Sequence, residues 1–173
     1  MNKLIIVVED KEEEQKKALG AIKVALNAED DEEIGCTIIP GNPQVGLKNA
    51  GALILFASDL EVADRRITFL NEFLNNEEVG KTAAHGVITD LMFPKSKGAK
   101  EEPNGLSVIV SCIHSGIPVV VCSDTDHHDV VYLKTVFPVL GSAHPKGEIP
   151  IILDNKDWTK AVASLLNLMA KPE

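Results

Sequence analysis

The sequence predicts a three-layer α/β domain on a five-stranded, mainly parallel sheet, and three observations carry that expectation. Continuously apolar, β-branched runs recur along the chain: LIIVV at 4–8, GVIT at 86–89, IPVVVC at 117–122 and IPIIL at 149–153. Strands apolar at every position are buried on both faces, as in a parallel sheet. Helix-period segments alternate with them, the pattern of crossover connections, which are right-handed. The length of 173 residues, 45% of them hydrophobic, suits one domain with a real core.

Leu4–Val8 is the first strand. From about Lys11 to Leu26, the positions Ala18, Leu19, Ile22, Ala25 and Leu26 make one apolar stripe, with Glu12/Lys16 and Glu13/Lys17 paired on the wet side. The acidic run at 29–33 reads as a solvated loop. Cys36–Ile39 reads as a second strand, stopped by the Pro-Gly-Asn-Pro turn at 40–43. Residues 44–85 exceed what a single crossover requires, so an inserted or rebuilt segment is expected there: ALILFA at 52–57 fits strand or helix, and Leu60, Ala63, Ile67, Leu70 and Leu74 have helical spacing. GVIT is the next strand, with Asp90 at its carboxyl end.

A Pro-, Gly- and Lys-rich loop at 94–103 leads to a helix from Asn104, apolar at Leu106, Ile109, Val110 and Ile113 and closed by Gly116. After the strand Ile117–Cys122 come a helix at Asp126–Phe137, the strand Ile149–Leu153 and a last helix from about Asp157, with Trp158, Val162, Leu165 and Met169 on one face. There is no internal repeat, and residues 1–173 read as one domain.

Composition narrows the function. The formal net charge is -9, from 17 basic and 26 acidic side chains, and residues 9–33 hold 10 acidic and 4 basic ones. No phosphate-backbone track is visible, so no nucleic-acid partner is expected. No apolar run approaches the roughly 18 residues of a membrane helix, and MNKLIIVVEDKEEE turns acidic where a signal peptide shows a cleavage site. Cys36, Cys112 and Cys122 are odd in number, form no CxxC pair and lie in apolar stretches, which suits buried free thiols in a reducing, cytoplasmic compartment.

Ligands of open α/β sheets gather at the carboxyl ends of the strands. Here those ends are polar in concert: Glu9 and Asp10 after the first, Asp90 after the third, Ser123 after the fourth, and Asp154, Asn155 and Lys156 after the fifth. Carboxylates converging on one edge repel one another unless a cation sits among them, and an all-oxygen set suits Mg²⁺. The plainer account is that each acidic residue caps the helix that follows.

The succession VVED, VITDLMFP, PNGLSVIVSCIHSGIPVVVCS and a late lysine before an aromatic-led helix resembles the CheY-like receiver domain of two-component response regulators, over most of the chain apart from 44–85. The resemblance implies a flavodoxin-like sheet in the order 2-1-3-4-5. It implies Mg²⁺ held by Glu9, Asp10, Asp90 and the backbone carbonyl of Met92, with Asp90 as phosphoryl acceptor, Ser123 as switch hydroxyl and a phosphate-pairing lysine. Lys156 is preferred for that last role over Lys146, although Asp157 stands where the family has a proline, and Asp124 follows Ser123 where the family has a small residue. The implied partners are a histidine kinase or phosphotransfer protein and a downstream protein, with a homodimer possible, and no catalysis is implied beyond the protein's own phosphorylation and dephosphorylation. No further module is expected after the last helix, so output is expected through protein contacts, for which the face near Tyr132 is available.

Two readings compete. A pseudo-receiver or adaptor would keep the fold and a partner surface without phosphotransfer. A Mg²⁺-dependent nucleic-acid enzyme resembling TOPRIM proteins would use Glu9, Asp124 and Asp126, against the acidic composition. A haloacid-dehalogenase phosphatase needs a second Asp two residues after Asp90, where Met92 stands. Cys122, His127, His128 and Asp129 lack a second ligand pair for zinc and read more simply as a helix start; His85, His114 and His144 read as surface or loop residues.

Overall fold

The structure, a computed structural model, describes residues 3–28, 33–34, 44–74, 84–124, 130–153 and 155–170. The fold is α/β. Its strands are β1 (Lys3–Val8), β2 (Glu33–Ile34), β3 (Gln44–Leu47), β4 (Ala52–Ala57), β5 (Ala84–Thr89), β6 (Phe93–Pro94), β7 (Glu101–Glu102), β8 (Val119–Cys122) and β9 (Ile151–Ile152). The helices are α1 (Glu12–Ala25), α2 (Leu60–Leu74), α3 (Gly105–His114), α4 (Val130–Ala143) and α5 (Trp158–Ala170).

Among the described residues the main sheet has seven strands in the order β2-β3-β4-β1-β5-β8-β9, and β6 and β7 form a separate two-stranded sheet. Strands β4, β1, β5, β8 and β9 are mutually parallel neighbours, while β3 is antiparallel to both β4 and β2. The expectation of five strands is therefore corrected in count and order. The reason lies in segment 44–85, where β3 and β4 form a hairpin closed by Gly51, whose amide bonds to the Lys48 carbonyl (3.1 Å) and whose φ is 61°. The ambiguous ALILFA run is β4, paired along its whole length with β1. Its length decides against helix: it is cut off after six residues by Asp59, whose Oδ1 accepts the Val62 amide (2.9 Å) and caps α2. The strand expected at Cys36–Ile39, the turn at 40–43 and Cys36 itself lie outside the described residues.

Alternate residues of β1 feed two cores. Leu4, Ile6 and Val8 pack with Leu53, Leu55 and Ala57 beneath α2 and α3, whereas Ile5 and Val7 pack with Ile54 and Phe56 beneath α1 and α5. The sheet is thus a middle layer apolar on both sides, which is why LIIVV shows no alternation. Gly86 on β5 permits the close approach of α5: a Cβ there would meet Leu165 Cδ1 at 2.5 Å and the Pro118 carbonyl at 3.2 Å. Helix α4 runs past the expected end at Phe137 to Ala143, with Pro138 inside it. His144, expected as a surface or loop residue, lies in the loop after α4 and is buried there; its Nε2–H donates to the Ile117 carbonyl (3.0 Å) while Nδ1 accepts the Lys146 amide (3.1 Å). Cys112 and Cys122 are buried free thiols, and burial pushes both pKa values up. No helix among the described residues is long and apolar enough to cross a membrane.

Candidate functional site

Three neighbouring parallel strands bring the site together. Val8 pairs with Thr89 across β1 and β5, so Glu9 and Asp90 leave the sheet side by side, and the Asp90 amide bonds to the Val8 carbonyl (2.9 Å). Ser123 follows β8 on the other flank of Asp90, its amide bonded to the Ile152 carbonyl (2.9 Å). Glu9 and Ser123 are fully buried and Asp90 is only 3% exposed.

Lys156 enters from the turn between β9 and α5. Its Nζ donates to Glu9 Oε2 (2.6 Å) and to Asp90 Oδ2 (2.8 Å). The other Asp90 oxygen, Oδ1, accepts the Ser123 hydroxyl (2.5 Å) and the Leu91 amide (2.6 Å). The other Glu9 oxygen accepts the Lys11 amide (3.1 Å), and the Glu9 carbonyl accepts Gln15 Nε2 (2.6 Å). Asp10 completes the group: carboxylate oxygens of Glu9, Asp10 and Asp90 lie within 4.8 Å of one another, and Asp10 Oδ1 is buried without a hydrogen-bond partner.

The electrostatics follow from that packing. Burial drives the Glu9 pKa upward to about 7 and the Asp90 charge adds to the rise, although Lys156 and the Lys11 amide oppose it. Burial alone would lower the Lys156 pKa; the charges and hydrogen bonds of Asp90 and Glu9 outweigh it and hold the amine protonated, above its usual range. Fully ionised, three carboxylates and one ammonium leave two uncompensated negative charges. A divalent cation matches that remainder, the donors are all hard oxygens, and the orphaned Asp10 Oδ1 is a ready ligand, so the residues fit Mg²⁺.

The loop after Asp90 is built to hold it. Phe93 is fully buried in β6, and its carbonyl accepts Asn104 Nδ2 (2.7 Å). Gly105, the first residue of α3, lies so close to the loop after β5 that a Cβ would stand 2.7 Å from Leu91 Cα. The Asn-Gly pair of PNGL thus has a local cause, helix against loop backbone.

The structure gathers Glu9, Asp10, Asp90, Ser123 and Lys156. Met92 stands two residues beyond Asp90 with its side chain half-buried against the core. Lys146 lies in the α4–β9 connection, and the lysine on the carboxylates is Lys156. Asp124 is not in the acidic cluster found among the described residues, and Asp126, His127, His128, Asp129 and Asp154 lie outside those residues. Sequence reasoning missed Gln15, the Lys11 amide and the hydrogen bond from Trp158 Nε1 to Glu14 (2.7 Å). No family model matches the chain, and no curated protein matches it either.

Two expected outcomes follow from the charges. Folded Glu9 holds its proton more tightly than unfolded Glu9, so its contribution to stability is complete below pH 4.5 and is lost as pH rises through about 7. Denaturant midpoints of metal-free protein should show that decline across the window, and Glu9→Gln should flatten it. Lys156→Met strands two buried carboxylates and should cost about 3–5 kcal/mol in urea titrations with EDTA, part of it recovered by Mg²⁺; a loss below about 1 kcal/mol would mark the contact as surface-like.

Proposed function

We propose that this protein is a receiver-type phosphorylation switch, with Asp90 as the phosphoryl acceptor in a Mg²⁺-dependent reaction. The observation that carries this reading is the Lys156 ammonium bridging Glu9 and Asp90 while Ser123 holds the second Asp90 oxygen. Those residues lie far apart in the chain and have no common structural task that would demand an ammonium, a hydroxyl and three carboxylates in one place. The five parallel strands support it too: β4-β1-β5-β8-β9 places the second of them outside the first, followed by the third, fourth and fifth.

In this mechanism a carboxylate oxygen of Asp90 attacks the phosphorus of a phosphohistidine or acyl phosphate, the bond to the donor breaks with its electron pair, and an aspartyl phosphate forms. Glu9, Asp10, Asp90 and the Met92 carbonyl would hold Mg²⁺, which would supply neutralisation of charge on the transferring group. Lys156 stays protonated throughout and pairs with the phosphoryl oxygens as the Asp90 charge is replaced. The Ser123 hydroxyl exchanges Asp90 Oδ1 for a phosphoryl oxygen, and its displacement biases α4 beyond it. The phosphoryl donor is a histidine kinase or phosphotransfer protein, output passes to a protein partner in the cytoplasm, and a homodimer is one form that output can take. Asp124, half-buried beside Ser123, adds negative charge near the phosphate and favours the adaptor as the second reading.

Acetyl phosphate with MgCl₂ should add one phosphoryl group to the wild type by intact mass, and none to Asp90→Asn or in EDTA. A mass unchanged in the wild type, under conditions where a control receiver is labelled, removes this function and leaves the adaptor.

A further inference from the structure

The turn that delivers Lys156 is unusual. Asn155 and Lys156 are both left-handed, with φ of 48° and 49°, and neither is glycine. Residues with a Cβ rarely take this conformation, and two in succession persist only where the surroundings hold them. At the site end the hold is Lys156 itself, on Glu9 and Asp90.

The other end is held by α1. Trp158, the first residue of α5 and the only tryptophan, is 4% exposed, and its Nε1–H donates to Glu14 Oε2 (2.7 Å). Glu14 is itself fixed, with its second oxygen accepting Lys17 Nζ (2.6 Å). Helix α1 is tied back to the site by Gln15 on the Glu9 carbonyl (2.6 Å) and by the Lys11 amide on Glu9 Oε1 (3.1 Å). The contacts therefore close a ring: Lys156 to Glu9, Glu9 to α1, α1 through Glu14 to Trp158, and Trp158 back to Lys156 two residues away.

We propose that Glu14 and Trp158 are positioning residues: their hydrogen bond sets the start of α5 against α1 and so keeps the left-handed turn aimed, with the Lys156 ammonium on both carboxylates. Without the indole N–H the turn is held at one end only, and it relaxes toward the right-handed region and draws Nζ off Glu9 and Asp90. The consequence for phosphotransfer rests on the function proposed above; the consequence for Lys156 does not.

Trp158→Phe keeps an aromatic ring in the core while removing the donor and part of the ring volume, and Glu14→Leu removes the acceptor without touching that packing, whereas Glu14→Gln keeps an acceptor. A buried, hydrogen-bonded ammonium exchanges its protons slowly, so the Lys156 Nζ proton–nitrogen correlation reports the bridge directly by NMR. The wild type and Glu14→Gln should show it, and Trp158→Phe and Glu14→Leu should lose it, with acetyl phosphate labelling slowed about tenfold in Trp158→Phe, the low end for one hydrogen bond to a charged group. Glu14→Gln separates this role from bulk stability, because it gives up the ion pair to Lys17 and keeps the aim. A Trp158→Phe protein that is folded and keeps the ammonium signal at wild-type intensity overturns the proposal. If the wild type takes no phosphoryl group yet Trp158→Phe still loses the signal, the phosphoacceptor reading fails and the positioning role stands.

Discussion

One buried ammonium among carboxylates is the constraint on which the rest of this structure depends. Lys156 Nζ lies 2.6 Å from Glu9 and 2.8 Å from Asp90, in a place where none of the three side chains is more than 8% exposed. Removing such groups from water costs several kcal/mol per ion unless each is paired, on the order of the whole stability of a small domain. The pairing is incomplete, since Asp10 adds a third carboxylate to a single ammonium. The site therefore carries a standing demand for positive charge that fits a divalent ion, while the Glu9 pKa is raised first by burial and then by the Asp90 charge.

The fold meets that demand by register. Because β1 and β5 run parallel and level, Glu9 and Asp90 emerge together, and β8 places a hydroxyl beside them. The fully apolar strands behind form a rigid platform whose two faces are packed by different helices, so the polar ends have little freedom to separate. Around them each polar oxygen is given a donor from a nearby backbone or side chain, Leu91 and Ser123 on Asp90 and Lys11 on Glu9. The exception is Asp10 Oδ1, buried without a hydrogen-bond partner, and a carboxylate oxygen left in this way fits a cation.

Much of this was legible in the residues and some was not. LIIVV, GVIT and VVVC announce strands because burial on both faces demands apolar side chains throughout, and the polar residues that follow each of them mark the sheet edge. ALILFA was ambiguous for the same reason: without alternation a short buried strand and a buried helical segment read alike, and only the Asp59 cap settles it. QVGL at 44–47, which lies between β2 and β4, has no periodic signal, and β2 at Glu33–Ile34 sits at the end of the acidic run, so neither strand is legible in the sequence. The choice between Lys146 and Lys156 depended on a left-handed turn that Asn-Lys does not advertise. Glu14 and Trp158, 144 residues apart, belong to helices whose packing no local pattern reveals. His144 is legible as a loop residue but its burial is not, because the Ile117 carbonyl that its Nε2–H meets lies 27 residues away in the chain.

The most direct test of the central claim is a crystal structure grown with MgCl₂ and beryllofluoride, a stable mimic of a phosphoryl group on a carboxylate. The account predicts beryllofluoride on Asp90, one magnesium ion touching Glu9 or Asp10 as well as Asp90, and the Lys156 ammonium on a fluoride. An Asp90 carboxylate still bridged to Glu9 by Lys156, with neither metal nor beryllofluoride bound at saturating concentrations, would contradict it.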